Sequence, residues 1–210
     1  MTAVPTRLLI VRHGESTWNA VRRWQGQADP PLSERGENQA RRAATVAGDH
    51  GTFTHVVTSS LERARRTGEL IAQGLGIELG PAFDGLSERA AGAWEGLTRV
   101  EIEEQYPGYL ERGDRPPGYE DDEHVLGRVR AVLGSLAVDH PAAEILVVSH
   151  GGVVHALERA AFGDSGWERL DNLTGRWFEA TADSLVPAGE RVALVPDGGP
   201  AIPPPDPGYA

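Results

Sequence analysis

Leu8-Leu9-Ile10-Val11-Arg12-His13-Gly14-Glu15 is the stretch that decides the fold. Four apolar residues in a row are too few for a helix. Because side chains along a strand alternate between faces, an unbroken apolar run calls for a strand buried on both sides. The run stops at a cation, an imidazole and a glycine, so this strand delivers polar chemistry at its carboxyl end. The pattern returns at Ile145-Leu146-Val147-Val148, which leads into Ser149-His150-Gly151-Gly152 and a helix-like stretch over 153–161. A third strand is expected over 55–58. It runs into Ser59 and Ser60 and then a helical segment with Leu61, Ala64, Gly68 and Ile71 along one side and Ser60 as its expected N-cap. Helical spacing recurs at Val125, Val129, Val132, Leu133 and Leu136.

Strands alternating with helices predict an α/β fold whose sheet is covered on both faces, and in such sheets functional groups gather at the carboxyl ends of the strands. Residues 89–118 read as an irregular excursion holding a short helix over 100–106 and capping that edge. Trp177-Phe178 and 192–195 read as late strands, an edge hairpin. Residues 197–210, rich in Pro and Gly, read as an extended or disordered tail after a single domain over 1–196, with no internal repeat and no linker.

The chain has 210 residues, enough for one sizeable core, and 20 Lys and Arg against 31 Asp and Glu give a net charge of −11. An acidic surface repels polyanions, which argues against nucleic acid and anionic membranes as partners. It leaves room for a small anion held by a few arginines. The absence of cysteine removes disulfides, thiolate metal sites and Cys nucleophiles and is compatible with a reducing cytoplasm. The first fifteen residues lack the apolar core of a signal peptide, and the longest apolar runs are far too short to span a bilayer, so a soluble, cytoplasmic protein is expected.

Three strand ends carry groups suited to a phosphate: Arg12, His13 and Gly14; Arg63 in the first turn of the helix after Ser59; and His150 with Gly151 and Gly152. An arginine fork at a helix N-terminus joins the helix's own unpaired N–H groups, and both attract a dianion. Two His and two Arg converging on one sheet edge are costly without an anion and form an oxyanion cage with one.

Arg12-His13-Gly14-Glu15, with Ser16, Trp18 and Asn19, resembles the signature of the histidine phosphatase superfamily, in the branch of cofactor-dependent phosphoglycerate mutases and fructose-2,6-bisphosphatases. The likeness continues in family order through Gln25-Gly26, Pro31-Leu32-Ser33 and Gly36, then Thr58-Ser59-Ser60-Leu61 with Arg63-Ala64 and Thr67. Leu86, Glu88, Gly92 and Trp94-Glu95-Gly96 form a third block, and Ser149-His150-Gly151-Gly152 the fourth. The resemblance implies a three-layer α/β/α sandwich with a mixed, mostly parallel central sheet, and a phosphohistidine mechanism. It makes His13 the nucleophile, its second ring nitrogen donating to a carbonyl or carboxylate. Arg12, Arg63 and His150 would hold the phosphoryl oxygens, with Asn19, Gln25 and the backbone of Gly26 and Gly151 as further donors. Glu88 is the candidate proton donor to the leaving oxygen and then base for water, with Glu15 and Glu95 as nearby alternatives. Catalysis of phosphomonoester hydrolysis reaches ~10²¹-fold, so one charge cannot suffice and a preorganised cage is required.

Other residues read more plainly. His50, His55, His124 and His140 are surface or structural histidines, while His155 could face the pocket. Trp18, Trp24 and Trp94 are packing residues, and Glu120 to Glu123 form an acidic helix start. No two histidines stand at metal-ligand spacing, so neither a metal nor another cofactor is implied. Arg99, Arg112 or Arg115 could bind a second anionic group of the substrate. The 62 positions from Glu88 to His150 are fewer than in the mutases, whose extra insertion closes over bisphosphorylated substrates. Hydrolysis of a small phosphomonoester, a sugar phosphate or phosphoglycerate type, is therefore expected. A mutase or a phospho-ligand or protein-binding module are the alternatives, and a homodimer is compatible with all three.

Overall fold

Leu8, Leu9, Ile10 and Val11 are all fully buried in the interior of one sheet. The computed structural model describes residues 4–163 and 169–195; the expected tail over 197–210 lies outside the described residues. In chain order the elements are β1 (Thr6–Arg12), α1 (Thr17–Ala20), α2 (Glu34–His50), β2 (His55–Ser59), α3 (Glu62–Leu75), β3 (Leu79–Phe83), α4 (Arg99–Gln105), α5 (Tyr109–Arg112), α6 (Asp122–Asp139), β4 (Glu144–Ser149), α7 (Gly151–Phe162), β5 (Thr174–Ala180) and β6 (Leu185–Ala193). Single 3₁₀ turns lie at Asp84–Leu86 and Gly92–Trp94.

The sheet order is β3-β2-β4-β1-β5-β6. β1, β2, β3 and β4 are mutually parallel, and β5 and β6 run antiparallel to their neighbours. Alternation along β1 and β4 divides the core in two. Leu8, Ile10, Ile145 and Val147 pack with Val125, Val129 and Leu133 of α6 and Val154 of α7. Leu9, Val11, Leu146 and Val148 pack with Ala43 and Ala47 of α2 and Ala64 and Ile71 of α3. This is the mixed three-layer α/β/α sandwich. A third, smaller core lies under the 89–118 excursion, where Trp94, fully buried, meets Trp24, Ala91 and Ile102.

Two expectations need correction. Ser60 does not cap α3: Leu61 occupies the cap position, and the Ser59 hydroxyl accepts the Leu61 N–H at 3.1 Å while Ser60 turns toward Ser87. The last strand begins at Leu185 rather than near 192, because β6 is a half-exposed edge strand whose Pro187 and Gly189 break the apolar pattern.

The parallel strands end together, with Arg12 opposite Ser149 and Thr58 opposite Val148. β5 starts where β1 stops, Val11 facing Gly175, and the Leu173 N–H bonds the Arg12 carbonyl at 2.9 Å. The chain entering β5 is thereby laid across the same edge.

Candidate active site

His13 is buried just beyond the end of β1, its N–H bonded to the Ser149 carbonyl at 3.0 Å. Nδ1 lies 2.6 Å from the Gly14 carbonyl oxygen, and a carbonyl can only accept, so Nδ1 carries the proton. Nε2 is then the lone-pair nitrogen, and it accepts from Arg63 Nε at 3.2 Å. Burial, reinforced by the charges of Arg63 and Arg12, holds His13 well below the usual imidazole range against the opposing pull of the Gly14 carbonyl. The imidazole is neutral at pH 7.

Arg63 is fully buried in the first turn of α3. Besides His13 it donates to the Ala28 carbonyl at 2.7 Å through Nη1 and to the Gly26 carbonyl at 2.9 Å through Nη2. Burial lowers it to about 10, which leaves it cationic. Gly26 sits at φ +52°, where a Cβ would collide with Glu95 Oε1 and lie 2.7 Å from the Ala91 nitrogen, so glycine is required for this loop to meet Arg63.

His150 occupies the N-cap position of α7 and is fully buried, its ring centroid 5.1 Å from that of His13. Nε2 pairs with the Ser59 hydroxyl at 2.7 Å, and Nδ1 is a buried polar atom without a hydrogen-bond partner. Burial first, then Arg63 and His13, push it well below the usual range. Arg12 donates through Nη1 to the Leu170 carbonyl at 2.7 Å and lines the pocket with His13, Gly151 and Gly152.

Glu88 is the one acidic residue lining this pocket among the described residues. Its Oε1 accepts the Arg89 N–H at 2.8 Å and its Oε2 the Gly152 N–H at 3.2 Å, which places the carboxyl at the amino end of α7. The two alternative glutamates are engaged elsewhere. Glu15 accepts from Ser33 and Arg35, and Glu95 Oε1 accepts the Gln27 and Ala91 N–H groups. Asn19 and Gln25 both line the pocket with their amide oxygens already used, Asn19 accepting the Ser16 N–H and Gln25 the Ser16 hydroxyl.

Several pocket residues escaped the sequence reading. Asn172 donates to the His13 carbonyl at 2.8 Å, and Leu170 supplies the acceptor for Arg12. Both precede β5, and periodicity alone cannot say that this strand pairs antiparallel with β1. Trp24, expected only to pack, forms an apolar pocket wall with Tyr119, which closes the 89–119 stretch expected to shape the pocket. His155, expected as a pocket-facing histidine, is buried, lowered to about 4 mainly by burial, and does line the pocket. Arg99, Arg112 and Arg115 do not line it; Arg112 pairs with Asp114, and Arg115 lies over Trp94 and Tyr119. Besides Arg12, the arginines at the wall are Arg22, Arg89, Arg159 and Arg169.

The model of the histidine phosphatase superfamily, branch 1, matches residues 8–192. The chain belongs to that family. An Escherichia coli protein named "Probable phosphoglycerate mutase GpmB" is 39% identical over 170 residues, covering 77% of each chain. A Mycobacterium tuberculosis protein named as bifunctional is 38% identical over 167 residues, 77% of this chain and 45% of the relative, so the chain spans less than half of that protein's length. Among solved structures, mycobacterial glucosyl-3-phosphoglycerate phosphatase in complex with VO3 superposes with a TM-score of 0.74 at 27% identity, covering 87% of this chain and 96% of the other. The Escherichia coli relative is named for mutase activity and the superposed structure for phosphatase activity. Among the described residues no helix is long and apolar enough to cross a membrane.

Proposed function

We propose that the protein hydrolyses a small phosphomonoester, of the sugar-phosphate or phosphoglycerate type, through a phosphohistidine on His13. The observation that carries this reading is the His13 ring itself: neutral, its Nδ1 proton fixed on Gly14 and its Nε2 lone pair turned to the fully buried Arg63. Nε2 attacks phosphorus in line, forming the N–P bond as the P–O bond to the alcohol breaks, and Glu88 gives its proton to the departing oxygen. Water, losing a proton to Glu88, then displaces phosphate from the nitrogen. Arg12, Arg63 and His150 hold the phosphoryl oxygens in both steps, with the first turn of α7 beneath them. The reading treats residues 1–196 as one catalytic domain of a cytoplasmic enzyme, with the small substrate as its partner.

Hydrolysis is favoured over transfer by the short Glu88-to-His150 segment and by the phosphatase named above. Phosphate release from aryl, sugar, glycerate and nucleotide monophosphates, assayed in EDTA for wild type and His13→Ala, tests it. Release by wild type alone supports the reading. Silence on every ester, with exchange of phosphoryl groups in a mixture of 3-phosphoglycerate and its bisphosphorylated form, would make the protein a mutase instead.

A further inference from the structure

Glu88 sits on an irregular segment between the Asp84–Leu86 and Gly92–Trp94 turns, with no strand ladder to hold its backbone. Carbonyls on such a segment need donors from elsewhere. One side chain supplies three. Arg128, two turns into α6, donates through Nη1 to Gly85 O at 3.0 Å and Ser87 O at 2.6 Å, and through Nη2 to Glu88 O at 3.2 Å. The same guanidinium makes a two-pronged bond with Glu120, Nε to Oε1 and Nη2 to Oε2, both at 2.8 Å. Glu120 then closes on the far side of Glu88: Oε2 accepts the Ala90 N–H at 3.2 Å, and the Glu120 N–H donates to Ala90 O at 3.0 Å. The pair grips the backbone before, at and after Glu88.

The helix that carries this grip also fixes what the carboxyl faces. Asp122, at the start of α6, binds Arg89 next to Glu88 and takes Arg159 of α7 at 2.8 Å and 2.9 Å, and α7 opens with the Gly152 N–H that meets Glu88. Gly85 lies so close to α6 that a Cβ there would be 3.0 Å from the Arg128 carbonyl.

We propose that Arg128 and Glu120 are positioning residues that set the Glu88 carboxyl at its distance from the leaving oxygen. The proposal rests on Glu88 being the proton donor. Reacting groups displaced by about 1 Å cost on the order of 100-fold in rate. A loosened Glu88 loop should therefore slow departure of a poor leaving group and spare a good one, whereas a general loss of structure would slow both.

The test is the single-turnover rate of phosphohistidine formation from an alkyl phosphate and from 4-nitrophenyl phosphate. The enzymes are wild type, Arg128→Met, Arg128→Lys, Glu120→Gln, Glu88→Gln and the Glu88→Gln/Arg128→Met double variant. Arg128→Met should slow the alkyl ester at least ~10-fold with the half-saturating ester concentration little changed, leave the aryl ester within about threefold, and add nothing to Glu88→Gln. Glu120→Gln and Arg128→Lys, milder changes, should show the same ester selectivity and carry the test if Arg128→Met does not fold. Equal slowing of both esters, or additive losses in the double variant, overturns the proposal. A wild-type alkyl rate in Glu88→Gln would instead sink the proton-donor assignment beneath it.

Discussion

Arg63 Nε stands 3.2 Å from His13 Nε2, a guanidinium nitrogen donating to the nitrogen proposed to attack phosphorus. Two fixed carbonyls, Gly26 and Ala28, hold the other end of the guanidinium. The cation is thus set before any phosphate arrives, and its N–H groups need little reorganisation to meet one. Lysine keeps the charge but has one nitrogen on a flexible stem, so Arg63→Lys should lower kcat/KM at least ~100-fold. Steady-state kinetics on the best ester of the panel checks it; a loss under fivefold would show that charge alone is sufficient there.

Ser59 holds His150 by Nε2 and takes the Leu61 N–H in place of a cap on α3. Ser59→Ala leaves that ring without its hydroxyl partner, and since Nδ1 has no partner either, the imidazole is then held by packing alone. Stability should fall by about 1–3 kcal/mol, read by urea melts, and kcat should fall more than KM rises.

A methyl at Gly152 would collide with Glu88 Oε1 and come within 3.4 Å of Arg89 Cβ. Gly152→Ala should therefore push the carboxyl off the amino end of α7 and reproduce the kinetics of Glu88→Gln, with the cage and phosphate binding retained. Inhibition by inorganic phosphate, unchanged while turnover falls, is the expected pair of results.

Three buried histidines make acid stability predictable in sign. His13, His150 and His155 all titrate below 6.5 in the folded protein, with His155 at about 4. The unfolded chain therefore binds more protons than the folded one once pH drops below 6.5, and stability declines with falling pH through that window. His155 alone contributes on the order of 2 kcal/mol between pH 6.5 and 4. Urea midpoints should be flat from pH 8 to 7 and drop steadily below 6.5, less steeply in His155→Gln. Because burial and the neighbouring arginines push the proposed nucleophile well below the usual imidazole range, the acid limb of kcat/KM should lie below pH 6.5 in buffer where the enzyme remains folded.

The sheet and the gathering of polar side chains at one edge of it were legible in the sequence for one physical reason. Short apolar runs buried on both faces mark parallel strands, and whatever follows them collects at one edge, so Arg12, His13 and His150 could be grouped from their neighbours, while Arg63 is singled out from Arg65 and Arg66 by the family resemblance at Leu61 and Ala64. Two kinds of residue could not. Asn172 and Leu170 reach the site because β5 runs against β1, an orientation that Trp177-Phe178 does not encode. Glu120 and Asp122 read as an acidic helix start, and Asp121 does cap α6, accepting the His124 N–H. The pairing of Glu120 with Arg128 and of Asp122 with Arg89 and Arg159 depends on tertiary placement.

The position of β1 between β4 and β5 also has a history written into it. Among the described strands β1 precedes all others in the chain yet pairs only with β4 and β5, which follow α6, and the Asn172 bond to His13 closes a separation of 159 residues. Until then β1 is an apolar ribbon with both edges bare, the kind of segment that aggregates. Folding dominated by such distant pairings is slow. Phosphate-binding competence should consequently emerge last in refolding, after α2 and α3 have packed.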